Sequence, residues 1–169
     1  MNKDIIEQCY EKSIELLKNN SCEFGFLASA PQKKAVDRNY LSVFSRDASV
    51  CCLGALASGD KKLIATAKKS LVTLAKHQAD NGQIPNYVKP GDARVDFWRL
   101  GCIDATLWWL IAVRMYSKHS GDRTLSKRLK KNISKACFWL ECQKHVEDNL
   151  LMEGEASDWA DIMPRSGKV

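Results

Sequence analysis

The sequence predicts an all-α chain whose helices form two layers, an inner ring wrapped by an outer one, as part of an (α/α) toroid. Three observations predict it. Segments apolar on every side alternate with segments that keep one polar face, the patterns of enclosed and of surface helices. The tripeptide Ser-Gly-Asp recurs at 58–60 and 120–122, each time joining an all-apolar segment to an amphipathic one. The two apolar segments begin at Arg46 and near Ile103, about 57 residues apart, which reads as a repeat period.

The elements follow in order from 3.6-residue periodicity. A first helix is expected from about Asp4 to Lys18, with Ile6, Tyr10, Ile14 and Leu17 on one face. A loop containing Gly25 and Pro31 leads to a second, Arg46 to Ala57, apolar nearly all round through Val50, Cys51, Cys52, Leu53, Ala55 and Leu56. Ser58-Gly59-Asp60 ends it and offers an N-cap to the next. The third, Lys61 to about Ala79, is amphipathic, with Leu63, Ala67, Leu71, Leu74 and Ala75 in one stripe. Asn81-Gly82 stops it, and the stretch to Gly101, with Pro85 and Pro90, reads as loop. The fourth, Asp104 to about Ser117, is apolar all round again. The fifth, about Arg123 to Lys144, places Leu125, Leu129, Ile133, Ala136, Cys137 and Leu140 in register. Val146 to Val169 carries no clear helical pattern.

Composition narrows the function classes. At 169 residues the chain suits one domain with a real core, and its net charge of +6 is modest. Lys127, Arg128, Lys130 and Lys131 cluster on one predicted helix, but no aromatic residues interleave with them as a stacking platform for single strands would need. No nucleic-acid partner is expected. The first twenty residues carry acids throughout, unlike a secretory signal. No apolar run approaches the ~20 residues that span a bilayer, so no membrane partner is expected. Seven cysteines without a CxxC pair or a nearby His cluster argue against zinc and for reduced, mostly buried thiols in a cytoplasmic protein.

The chemistry lies at one end. Every long loop precedes an inner helix, so the loops gather at one mouth, and Arg46, Asp47 and Asp104 sit there with them. The tail adds Glu153, Glu155, Asp158 and Asp161. Inverting glycoside hydrolysis needs one carboxylic acid to protonate the leaving oxygen and another carboxylate to activate water. Trp98, Trp108, Trp109 and Trp159 are candidate surfaces for stacking on sugar rings, although adjacent helical tryptophans cannot face the same way. An Asp that opens a helix is also an ordinary N-cap, which is the rival reading of Asp104. A helix N-terminus favours the ionised carboxylate, so an acid role there requires burial. His77, His119 and His145 stand apart, and no nucleophilic triad assembles around them.

Three segments carry a family resemblance. Ser45-Arg46-Asp47 resembles the "RD" motif of six-hairpin glycosidases, including glucoamylases, glycogen debranching enzymes and neutral invertases. Asn81-Gly82-Gln83-Ile84-Pro85-Asn86 resembles their "GLIPN" loop, and Ile103 to Leu110 resembles the "VDSGLWW" and "VDATLWF" segments of neutral invertases and amylo-1,6-glucosidases. The resemblance covers about Val43 to Asp122 well and the tail loosely. It implies a partial (α/α)6 toroid of two and a half to three hairpins, with Arg46 and Asp47 binding sugar hydroxyls and Asp104 as catalytic acid. The carboxylate- and Trp-rich loop Glu155 to Asp161 is the second place for the acid, with Asp158 and Asp161 as catalytic candidates. Trp108 and Trp159 join the substrate-binding set. The general base of such enzymes lies in the second half of the toroid, beyond Val169.

The expectation is therefore the N-terminal half of an inverting α-glucan hydrolase. Ala105-Thr106 lean it towards the amylo-1,6-glucosidase type, and it is expected to be inactive as this fragment. Its partner would be an oligosaccharide or α-glucan, without cofactor or metal. Self-association through exposed inner helices is a further expectation, and a non-catalytic carbohydrate-binding or helical interaction module is the alternative.

Overall fold

The computed structural model describes residues 3–30, 40–91, 94–97, 102–143 and 148–151. Among them are six helices: α1 (Lys3–Asn19), α2 (Ser45–Ser58), α3 (Lys61–Lys76), α4 (Ile103–His119), α5 (Thr124–Arg128) and α6 (Lys130–Glu141). The chain has the all-α character of a partial toroid. The predicted fifth helix is split at Leu129, where the backbone leaves helical geometry between α5 and α6.

The inner pair is α2 and α4, which pack on each other more closely than any other two elements, and α3 lies against α2. The buried residues of α2 are small: Ser45, Ala48, Ser49, Cys52 and Ala55. Such a face lets a neighbouring backbone come close, as larger side chains would not. From α4 come Ala105, Thr106, Trp109, Ala112, Val113 and Tyr116. The stripe expected on α3 is buried in full, and Leu63, Leu71 and Leu74 are completely enclosed. Each of these leucines contributes roughly 1.5–3 kcal/mol of burial free energy.

The Ser-Gly-Asp connectors are built alike. Gly59 (φ 68°) and Gly121 (φ 79°) take the left-handed conformation that releases the chain from the inner helix. Ser58 Oγ accepts from Asp60 N, and Ser120 Oγ from Asp122 N, both at 3.1 Å. Asp60 then caps α3 by accepting from Lys62 N and Leu63 N, while Asp122 accepts from Thr124 N and its hydroxyl. Each aspartate also holds a lysine from an earlier outer helix, Lys18 on Asp60 and Lys68 on Asp122. These bonds hold both carboxyl groups below the ordinary carboxylate range.

Several expectations are corrected. The two stretches read as loop contain short strands: β1 (Ser21–Cys22) with β2 (Gly25–Phe26), and an antiparallel sheet of β3 (Val43–Phe44), β4 (Tyr87–Lys89) and β5 (Arg94–Asp96). Strands of two or three residues are too short to show alternation. The inner helices are not enclosed on every side, because Val50 is 46% and Ile111 45% exposed. On α1 only Ile14 and Leu17 pack against the core, while Ile6 and Tyr10 are exposed. The cysteines are not mostly buried either: Cys52 and Cys102 are, but Cys9, Cys137 and Cys142 are exposed. Cys137 thus falls outside the register expected for α6, whose buried residues are Ala136, Trp139 and Leu140.

Candidate functional site

The sheet gathers the mouth. Its β3 comes from the loop before α2 and its β4 and β5 from the loop before α4, so pairing of Phe44 with Tyr87 brings the two loops to one place. Ser45 N donates to the Asn86 carbonyl at 2.8 Å, tying the start of α2 to the Asn81–Asn86 loop. Ile84 N donates to Thr106 Oγ1 at 3.1 Å in a buried setting, tying the same loop to the first turn of α4. Gln83 Nε2 donates to the Phe97 carbonyl, and Asn86 N to the Asp96 carbonyl. One loop thereby fixes the leading ends of both inner helices.

The two ends meet through charge. Arg46 Nη1 donates to Asp104 Oδ2 at 2.6 Å, and both side chains are largely shielded, at 19% and 15% exposure. Arg46 Nε lies 3.9 Å from Asp47 Oδ2, so the guanidinium stands between two carboxylates. The contact to Asp104 is a short charge-assisted hydrogen bond; the one to Asp47, whose side chain is 55% exposed, is a loose ion pair. The other oxygen of Asp104, Oδ1, is buried and has no hydrogen-bond partner among the described residues. A carboxylate with one oxygen held and one unsatisfied among the described residues has an acceptor free for a ligand.

The rival reading of Asp104 as helix cap fails. The N-cap of α4 is Cys102, and Asp104 lies inside the first turn with its carboxylate turned to Arg46. Likewise Phe44 is the N-cap of α2, without a side-chain capping bond. Both inner helices place their acids for interactions other than capping.

Among the tryptophans, Trp109 is completely buried and its Nε1 donates to the Leu71 carbonyl at 3.1 Å, which makes it a core residue joining α4 to α3. Trp108 is half-buried. Asp158, Trp159, Asp161, Glu153, Glu155 and Trp98 lie outside the described residues. Aromatic surface that the sequence reading passed over comes from the sheet. The Phe44 and Tyr87 rings are 5.0 Å apart, and Tyr40 meets Phe44 edge-on at 6.3 Å. Asp96, on β5, stands opposite Tyr87 of β4 and accepts from Asn86 Nδ2 at 3.3 Å, adding a carboxylate to the sheet. Recognising 43–44, 87–89 and 94–96 as paired strands would have found Phe44, Tyr87 and Asp96.

A profile of the alkaline and neutral invertase family matches residues 6–138. The chain belongs to that family. The match to this invertase family reaches beyond the segment from Val43 to Asp122 that carries the motif resemblance, taking in most of α1 and α6. No curated protein and no solved structure matches the chain. As an invertase-family domain it is of glycoside-hydrolase type, and a carbohydrate is its class of substrate. Among the described residues no helix is long and apolar enough to cross a membrane, and no group of three His, Cys, Asp or Glu side chains is placed to hold a metal ion.

Proposed function

We propose that this chain binds a glucosyl unit at the Arg46–Asp104 pair and carries the acid side of an inverting glycoside hydrolase site. The observation that carries the reading is the 2.6 Å contact between the two, at the adjoining leading ends of the inner helices. Asp104 is the general acid: sugar hydroxyls take its place on Arg46, and it then delivers a proton to the glycosidic oxygen as the bond to the leaving group breaks, while water attacks the opposite face. Arg46 and Asp47 grip sugar hydroxyls, and Phe44 and Tyr87 offer ring surface beside them. Trp108 is a further stacking candidate. Asp158 and Asp161 remain the second place for the acid, with Trp159 as a binding surface. Activation of water needs a second carboxylate, roughly 6.5–9.5 Å from the first. On this reading the base comes from a second half of the toroid, and these residues form the N-terminal half.

The family description supports sucrose as the first substrate to test, its bond being α-glucosidic from the glucose side. Ala105-Thr106 lean instead towards a branched α-glucan of the amylo-1,6-glucosidase type. Calorimetric titration with sucrose and with limit dextrin, alongside an assay for released glucose, separates these cases. Saturable binding of one of them without glucose release is the expected result. Glucose release by the purified chain would overturn the assignment of the base to a missing half, and absence of binding to either sugar would overturn the site.

A further inference from the structure

A second feature lies towards the other end of α4, roughly 20 Å along the helix from Asp104 at 1.5 Å per residue. Arg114, Ser117 and Lys118 of α4 face Arg123, Ser126 and Lys127 across a groove of about 390 Å³. All four cations are exposed, and none of them forms an ion pair among the described residues. No acidic side chain lines the groove among those residues. Asp122, adjacent in sequence, is already engaged by Lys68 and Thr124. The Ser117 hydroxyl is buried with no hydrogen-bond partner among the described residues, an unsatisfied group in the lining of a positively charged groove.

The helix dipole explains only part of this. The last turn of α4 attracts cations, which accounts for Lys118. Arg114 lies before that turn, and Arg123 precedes α5, so neither position follows from it. Four like charges around one small volume repel one another unless an anion sits between them.

We propose that this groove is a binding site for a small phosphorylated molecule, with the cations pairing the phosphate oxygens and Ser117 donating its hydroxyl to one of them. Its size suits a small molecule. Among the described residues no aromatic side chain lines it to give a base-stacking surface for single-stranded nucleic acid. The site is separate from the Arg46–Asp104 mouth and stands whether or not that mouth binds sugar.

The test is titration of inorganic pyrophosphate at constant ionic strength, followed by calorimetry and by amide chemical shifts. Saturable binding is expected, with shifts at Ser117, Lys118 and Arg123. Arg114→Gln and Lys127→Gln should each weaken it about tenfold, as loss of one charge-assisted contact implies. Ser117→Ala should weaken it as well, and Lys130→Gln with Lys131→Gln, outside the groove, should leave it unchanged. The exposed glutamine variants should match the parent in thermal midpoint without pyrophosphate, which separates lost binding from lost folding. Non-saturable binding, or equal weakening by the control pair, would overturn the proposal. So would a DNA duplex or anionic vesicle that displaces pyrophosphate at the same salt concentration, since that would assign the cations to a polyanion surface.

Discussion

Replacing Thr106 by Val tests whether the Asn81–Asn86 loop is held to α4 as described. Thr106 is completely buried, and its hydroxyl accepts the Ile84 amide at 3.1 Å. Valine keeps the shape and removes the acceptor, leaving a buried N–H unsatisfied at a cost of about 1–3 kcal/mol. The added buried methyl offsets about 0.8 kcal/mol of that. The net loss is therefore about 1 kcal/mol, which lowers the thermal midpoint by roughly 2–4 °C in a chain of this size. Since other losses of similar size exist, the decisive assay is amide hydrogen exchange. The Ile84 amide should be protected in the parent and in Thr106→Ser, which keeps the acceptor, and should exchange much faster in Thr106→Val. Equal protection at Ile84 in all three would refute the claim that this bond fixes the loop.

Four further outcomes follow from the same contacts. Gly82 has φ 103°, and a Cβ there would run into the Lys135 carbonyl, so Gly82→Ala should cost about 2 kcal/mol or more in urea denaturation. Trp109→Phe removes the indole donor to Leu71 and leaves space in the core, and should destabilise by about 1–3 kcal/mol in the same assay. Asp60 and Asp122 are held below their ordinary range when folded, so their contribution is full above about pH 4 and disappears as pH falls through the folded values. Asp122→Asn should therefore lower the thermal midpoint at pH 7 and differ progressively less from the parent towards pH 2. Burial lifts the Cys52 thiol to about 12 and raises Cys51 as well, so native alkylation at pH 8 should reach Cys9, Cys137 and Cys142 first in peptide mapping.

Much of the fold was legible because its signals are local and repeated. The stripe on α3 is a plain 3.6-residue pattern, and Ser-Gly-Asp announced both connectors by composition. The lysines that clamp those aspartates were not legible, since Lys18 and Lys68 look like any exposed lysine until α1 and α3 are placed. The mouth was legible in part. Arg46 and Asp104 were found as residues opening inner helices, but the 2.6 Å bond between them depends on two loops pairing through strands of two or three residues. Phe44, Tyr87 and Asp96 escaped for that reason. The break at Leu129 escaped because the apolar register runs through it unchanged. The exposure of Ile6 and Tyr10 also runs against pattern, since amphipathicity says which face is apolar but not whether a neighbour covers it.

Docking of a glucosyl unit against the Arg46–Asp104 pair is tested most directly by amide chemical-shift mapping during a sucrose titration. The amides of Arg46, Asp47 and Asp104 should shift saturably, and Arg46→Ala should abolish those shifts while leaving the spectrum of α3 intact. Shifts confined to other surfaces, or unchanged in Arg46→Ala, would contradict it.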